Sequence, residues 1–180
     1  KTSKILPKLS PRVQGLNVPA LRQRIAAPWQ GEKSLPPDTL LVTVSRAAIP
    51  SPMHYRTLNE ACKAALPGKP LIVEIRDNGP LFELPVESIQ GRDLHLRAGK
   101  GFRPLIIWDL EGSRAKKSTR PTAPLSFLTM RQGNLTLEGI ELAVRWPESL
   151  DDPCTLVDLE QGNFTASDCT ISVARSVRQG

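Results

Sequence analysis

The chain repeats itself, and the repeat limits what it can fold into. Leu84 to Ile89, Leu125 to Met130 and Cys154 to Leu159 are three related apolar runs. Each is followed by a turn containing glycine and a second alternating run: Leu94-His95-Leu96, Leu135-Thr136-Leu137 and Phe164-Thr165-Ala166. The last two copies start 29 residues apart and the first two 41 apart. The excess equals the length of the polar, basic stretch Ser113 to Pro124, which reads as a mobile surface loop inserted into one unit. A short-stranded repeat with a period between about 20 and 50 residues is the mark of a solenoid or a propeller.

The apolar parity slips inside each unit. Leu125 and Phe127 alternate one way, Leu128 and Met130 the other, and Cys154 and Leu156 against Val157 and Leu159 repeat the slip. A one-residue slip turns side chains to the opposite face unless the chain bends there. Two slips at one place predict a corner between short strands, which favours a coil of about three to four turns over a flat sheet. Stacked coils then align equivalent residues in inward rows. The predicted rows are Leu84/Leu125/Cys154, Val86/Phe127/Leu156, Ile89/Met130/Leu159, Leu94/Leu135/Phe164 and Leu96/Leu137/Ala166.

Ahead of the repeats, Leu40 to Ser45 reads as a strand. Thr57 then stands three residues before Glu60, a capping box in which hydroxyl and carboxylate each satisfy a free amide at a helix start. Leu58, Ala61, Cys62 and Ala65 make one apolar stripe, and Leu66-Pro67-Gly68 ends it. A helix over 58–66 with one apolar face is expected to cap the open start of the solenoid. Leu71 to Ile75 is the next strand, ended by the turn Asp77-Asn78-Gly79-Pro80.

Charge separates a tether from the folded part. Net charge is +6, and residues 1–38 carry seven Lys/Arg against two acids, so they hold +5 of it. With scattered prolines and no periodicity, 1–38 reads as a basic, Pro-rich linker and 39–180 as the domain. The near-neutral domain gives no ground for specific nucleic-acid binding. No apolar run is long enough to span a bilayer. Cys62, Cys154 and Cys169 match neither a zinc pattern nor a disulfide framework and read as small buried hydrophobes.

The segment Tyr55 to Ala61, followed by Leu66-Pro67-Gly68 and an apolar strand, resembles the cap helix and first strand of pectate-lyase-like right-handed parallel β-helices. Asp93 to Ala98, Gly101 to Pro104 and Gly133 to Gly139 resemble the β-helix modules of large bacterial proteins, many of which also carry a serine/threonine protein kinase domain. The resemblance covers about residues 40–180. It implies an all-β right-handed parallel β-helix with a short N-terminal capping helix. A recognition module of this kind would suit the extracytoplasmic part of a membrane-anchored bacterial protein, but the residues assign no compartment. No Gly-rich loop, His-Arg-Asp or Asp-Phe-Gly motif is present, so any kinase lies outside this chain.

Function on a solenoid belongs to its outward rows. His95/Thr136/Thr165 and Arg97/Glu138/Ser167 are expected to face solvent on one sheet, with Arg97 and Glu138 close enough to pair. Trp146 precedes Pro147 in an expected loop and suits stacking on a sugar, whereas Trp108 is expected in the core. The candidate ligand-binding residues are therefore Arg97, Glu138, Trp146, His95, Thr136 and Thr165. Asp151, Asp152, Asp158, Glu160 and Asp168 match no calcium loop, so no metal is expected, and no cofactor. Neither His54 nor His95 stands in a nucleophile motif, so no catalytic residue is assigned.

Two functions fit. One is a noncatalytic recognition or scaffold module for carbohydrate or another extended ligand. The other is a fragment of a polysaccharide lyase or hydrolase whose catalytic coils lie beyond residue 180. The chain stops before its third unit closes, so further coils and end-to-end association of this piece are expected.

Overall fold

The computed structural model describes residues 38–49, 51–63, 68–110, 125–146 and 154–175. All but the last residue of the expected linker, and the loop 113–124, lie outside them. The chain enters through β1 (Leu40–Val44), β2 (His54–Tyr55) and helix α1 (Leu58–Lys63). A first unit follows: β3 (Leu71–Ile75), β4 (Leu81–Glu83) and β5 (Val86–Gln90). The second is β6 (Leu94–Ala98), β7 (Leu105–Asp109) and β8 (Leu125–Arg131). The third is β9 (Leu135–Glu138), β10 (Glu141–Trp146) and β11 (Cys154–Glu160), and β12 (Phe164–Ser167) and β13 (Thr170–Arg175) come last.

Each unit gives one strand in turn to each of three parallel sheets. Sheet A runs β12-β9-β6-β3-β1-β2, sheet B runs β13-β10-β7-β4, and sheet C runs β11-β8-β5. The fold is mostly β, parallel and solenoid-like. Residues stack in register, so inward rows form. Val42, Val73, Leu96, Leu137 and Ala166 make one, and Leu40, Leu71, Leu94, Leu135 and Phe164 another. Each fully buried large side chain in such a row contributes about 1.5–3 kcal/mol. At the far end Phe164, Ile171 and Val173 of the last strands are exposed.

Two expected rows are displaced at their first member. Val86 stands beside Leu128, not Phe127, and Leu84 lies ahead of β5. The register between β5 and β8 shifts between Val86 and Ile89, so one extra residue sits in β5 there. The parity slip is also no corner: β8 and β11 run unbroken through it, and Phe127 and Leu128 are both buried.

The corners fall between sheets. From C to A each turn uses three residues: Gly91-Arg92-Asp93, Gln132-Gly133-Asn134 and Gln161-Gly162-Asn163. The first of each has positive φ, at 67°, 59° and 58°. The middle residue lets the units touch. A Cβ on Gly133 would lie 2.0 Å from the Arg92 carbonyl oxygen, and one on Gly162 1.8 Å from that of Gly133. The third residue links the units. Asn134 donates its backbone N–H and its Nδ2 to Asp93 Oδ1, both at 2.9 Å, and Asn163 donates likewise to Asn134 Oδ1 at 3.1 and 3.0 Å.

Helix α1 closes the start. Glu60 N–H donates to Thr57 Oγ1, and Thr57 N–H to Glu60 Oε2, both at 3.2 Å, as the capping box requires. Leu58, Ala61 and Cys62 are buried against β5 and the first strands of sheet A. Residues 64–66 of the expected helix lie outside the described residues. Glu83 lies in register with Trp108, and so with Val144 and Val173, in an otherwise apolar row of sheet B. Its Oε1 accepts the Leu58 N–H at 3.0 Å, at the helix start where free amides collect. Burial pushes the Glu83 carboxyl up to about 7, against the lowering effect of that hydrogen bond.

Gly133→Ala is expected to destabilise the fold by about 2 kcal/mol, because the new methyl must push the packed units away from each other. Gly162→Ala, in the last unit, is expected to cost less; urea unfolding of both tests the order. Glu83 is held above its unfolded value, so its contribution is full below the ordinary carboxylate range and is lost as pH rises through about 7. Glu83→Gln keeps an acceptor for Leu58. It should raise stability at pH 8 by roughly 1–3 kcal/mol and change it little at pH 4, again by urea unfolding.

Candidate functional site

The outward face of sheet A carries two side-chain rows. One is Leu41, Ile72, His95, Thr136 and Thr165; the other is His54, Thr43, Glu74, Arg97, Glu138 and Ser167. Alternation puts these residues opposite the inward apolar ones. In-register stacking sets them about 4.8 Å apart along the face. The second row crosses six strands with polar groups at every step.

Its charges are paired along the row. Arg97 donates Nη2 and Nε to Glu74 Oε2 at 2.7 and 3.1 Å, and Arg76 donates Nε to Glu74 Oε1 at 2.8 Å. His95 Nε2 meets Glu138 Oε2 at 2.9 Å, and Thr43 Oγ1 is hydrogen-bonded to His54 Nδ1. Burial tends to raise the Glu74 carboxyl, but the hydrogen bonds from Arg76 and Arg97 and their charges outweigh it, and the net direction is down.

Sheet A thus brings together five of the six residues predicted from sequence: Arg97, Glu138, His95, Thr136 and Thr165. The expected Arg97–Glu138 contact is replaced. Arg97 has carboxylates on both neighbouring strands and turns to Glu74, while His95 reaches Glu138 on the diagonal. Glu138 is also only 2% exposed, where a solvent-facing residue was expected. Trp146 belongs elsewhere: it ends β10 in sheet B and is half-buried against the core, because it continues the inward row of Leu142 and Val144. Trp108 is in the core as expected, its ring centroid 5.6 Å from that of Phe127.

Sheet B differs in kind. Leu105, Ile107 and Ala143 form a second buried apolar cluster on its outer side, with Phe82 packed against it. Glu141 and Asp109 share that side and are buried, and Asp109 is in register with Arg145. The unbroken run Leu105-Ile106-Ile107-Trp108 is the sequence signal for a strand buried on both faces. The acids near the end of the chain are spread by the fold. Asp158 and Glu160 approach Arg131, and Asp168 pairs with Arg103 at 3.1 Å. Asp151 and Asp152 lie outside the described residues. Among the described residues no group of three His, Cys, Asp or Glu is placed to hold a metal, and no helix is long and apolar enough to cross a membrane. The cysteines are free thiols, and burial pushes that of Cys62 up to about 12.

A trough of about 610 Å³ runs along the C-to-A corner, lined by residues of all three corner turns together with Gly68 and Pro70. The positive-φ residues that open each turn mark it in the sequence only once the repeat is aligned. Comparison of the chain with models of protein families, with characterised proteins and with solved structures finds no match.

Arg97→Met should lower stability at pH 7 by about 1–2 kcal/mol, the scale of a charged hydrogen bond. Glu74 is held below its ordinary value, so its contribution is present at neutral pH and lost as pH falls through the carboxylate range. The difference between wild type and Arg97→Met should therefore shrink in acid, as thermal melts at pH 7 and pH 3 will show.

Proposed function

We propose that residues 39–180 form a right-handed parallel β-helix that acts as a noncatalytic recognition and scaffold module. Carbohydrate or another extended ligand is received on the polar side of sheet A. The observation that carries the reading is the in-register outward row, which offers hydrogen-bonding groups at one constant step across six strands. A linear ligand laid across the strands meets an equivalent set of groups at each step, so binding scales with ligand length. His95, Arg97, Thr136 and Thr165 supply donors and acceptors, with Arg97 held by Glu74 and His95 by the buried Glu138. On the sequence resemblance alone, the module belongs to a larger bacterial protein with a serine/threonine kinase domain elsewhere in its chain.

The alternative reading is a fragment of a polysaccharide lyase or hydrolase. Asp109 and Glu141 on the outer side of sheet B are buried, so they offer such an enzyme no open site. The two readings separate by experiment. Titration with oligosaccharides of increasing length should show affinity rising with length, and His95→Ala/Arg97→Ala should weaken it about tenfold, the loss of two modest interactions. Glycan turnover by this chain, measured by reducing ends, would replace the noncatalytic reading.

A further inference from the structure

We propose that the trough along the C-to-A corner is a binding site for a neutral, extended oligosaccharide, held ring by ring against an amide row led by Gln132 and Gln161. The proposal rests on the carbohydrate reading above and adds the corner beside sheet A as a second place where such a chain is held.

The shape comes first. The lining is drawn from residues 68 and 70, 91–93, 132–134 and 161–163, the same corner at successive levels of the stack. The trough therefore runs along the stacking direction, and its groups recur at the strand spacing of about 4.8 Å. A pyranose ring in an extended chain advances by a similar length, so successive rings meet successive levels. A compact ligand would use one level and leave the rest empty.

The chemistry comes second. Arg92 and Asp93 are the charged residues of the lining and have opposite signs, so the trough offers no net charge to an anionic or cationic polymer. The rest of the polar lining is amide. An amide side chain presents both donors and an acceptor, which matches a hydroxyl that does both. Asn134 and Asn163 are engaged in the ladder between units. Gln132 and Gln161 stand outside it, exposed, and Gln132 Nε2 donates to Gln161 Oε1 at 3.3 Å. That contact leaves the Gln161 amide nitrogen and the Gln132 oxygen to face a ligand.

The row stops at one identifiable place. Gly91 holds the same position and nearly the same positive φ as Gln132 and Gln161, and a Cβ there would have nothing within 4 Å. Glycine is thus a compatible replacement at the glutamine positions, and glutamine has room at Gly91, where its strain is that which Gln132 and Gln161 already bear.

The test is calorimetric titration of the whole chain with cellohexaose, and with hexagalacturonate as an anionic counterpart. Gln132→Gly/Gln161→Gly is expected to weaken cellohexaose binding about tenfold, the loss of two modest hydrogen bonds, with an unchanged thermal melt. Gly91→Gln adds a step to the row and should strengthen it about threefold. Hexagalacturonate should bind more weakly than cellohexaose. Binding that survives the glutamine double substitution but is lost in Arg97→Ala overturns the corner site and leaves carbohydrate recognition on sheet A standing. Tighter binding of hexagalacturonate overturns the neutral-ligand assignment. An absence of binding to either sugar overturns both the site and the carbohydrate reading.

Discussion

The backbone-to-backbone contact at Gly133 and Gly162 governs the stacking of this fold. With no side chain in the way, each turn rests directly on the carbonyl of the turn before it. The strands that follow are thereby brought to hydrogen-bonding distance in fixed register. Asp93 and Asn134 then lock the register by giving the next turn an acceptor for its backbone N–H. A slip of one residue would cost both contacts at once and turn every side chain on the strand to the wrong face.

Register is what makes a surface out of isolated residues. Glu74, Arg97 and Glu138 come from three different units, and only stacking sets them side by side. Alternating sign along the row means that each charge finds its partner within the face, so its side chains are held in place. Sheet B shows the other outcome of the same geometry. Its outer row of Phe82, Ile107 and Ala143 is apolar and covered. Inside, the single carboxylate of Glu83 is tolerated because the helix that closes the stack presents an amide to it. Cap and core are therefore joined by a bond sensitive to protonation.

Much of this was legible in the residues. The capping box, β1, β3, the repeat strands of sheets A and C, the inward rows of sheet A and the burial of Trp108 follow from spacing and parity, whereas the strands of sheet B were not foreseen. What was not legible has local causes. The extra residue in β5 is invisible because Leu84-Pro85-Val86 keeps a plausible alternation whichever neighbour it faces. Arg97 had carboxylates on two adjacent strands, and sequence distance does not choose between them. Trp146 was read from the proline after it, whereas its place two residues beyond Val144 in an inward row decided its environment. The corner trough was missed because its lining is backbone, glycine and amide, residue types that carry no motif.

The three edges of the stack differ in what they can absorb. At the C-to-A corner every turn has three residues, each committed to a dihedral, a contact or a hydrogen bond, so there is no room for a fourth. The 12 extra residues that lengthen one repeat are divided between the other two connections, 5 between β6 and β7 (A to B) and 7 between β7 and β8 (B to C). Sequence drift by insertion is thus channelled to those two connections, while the C-to-A corner keeps a constant outline. A lineage of such chains would diversify along two edges and preserve a uniform, repeating profile along the third.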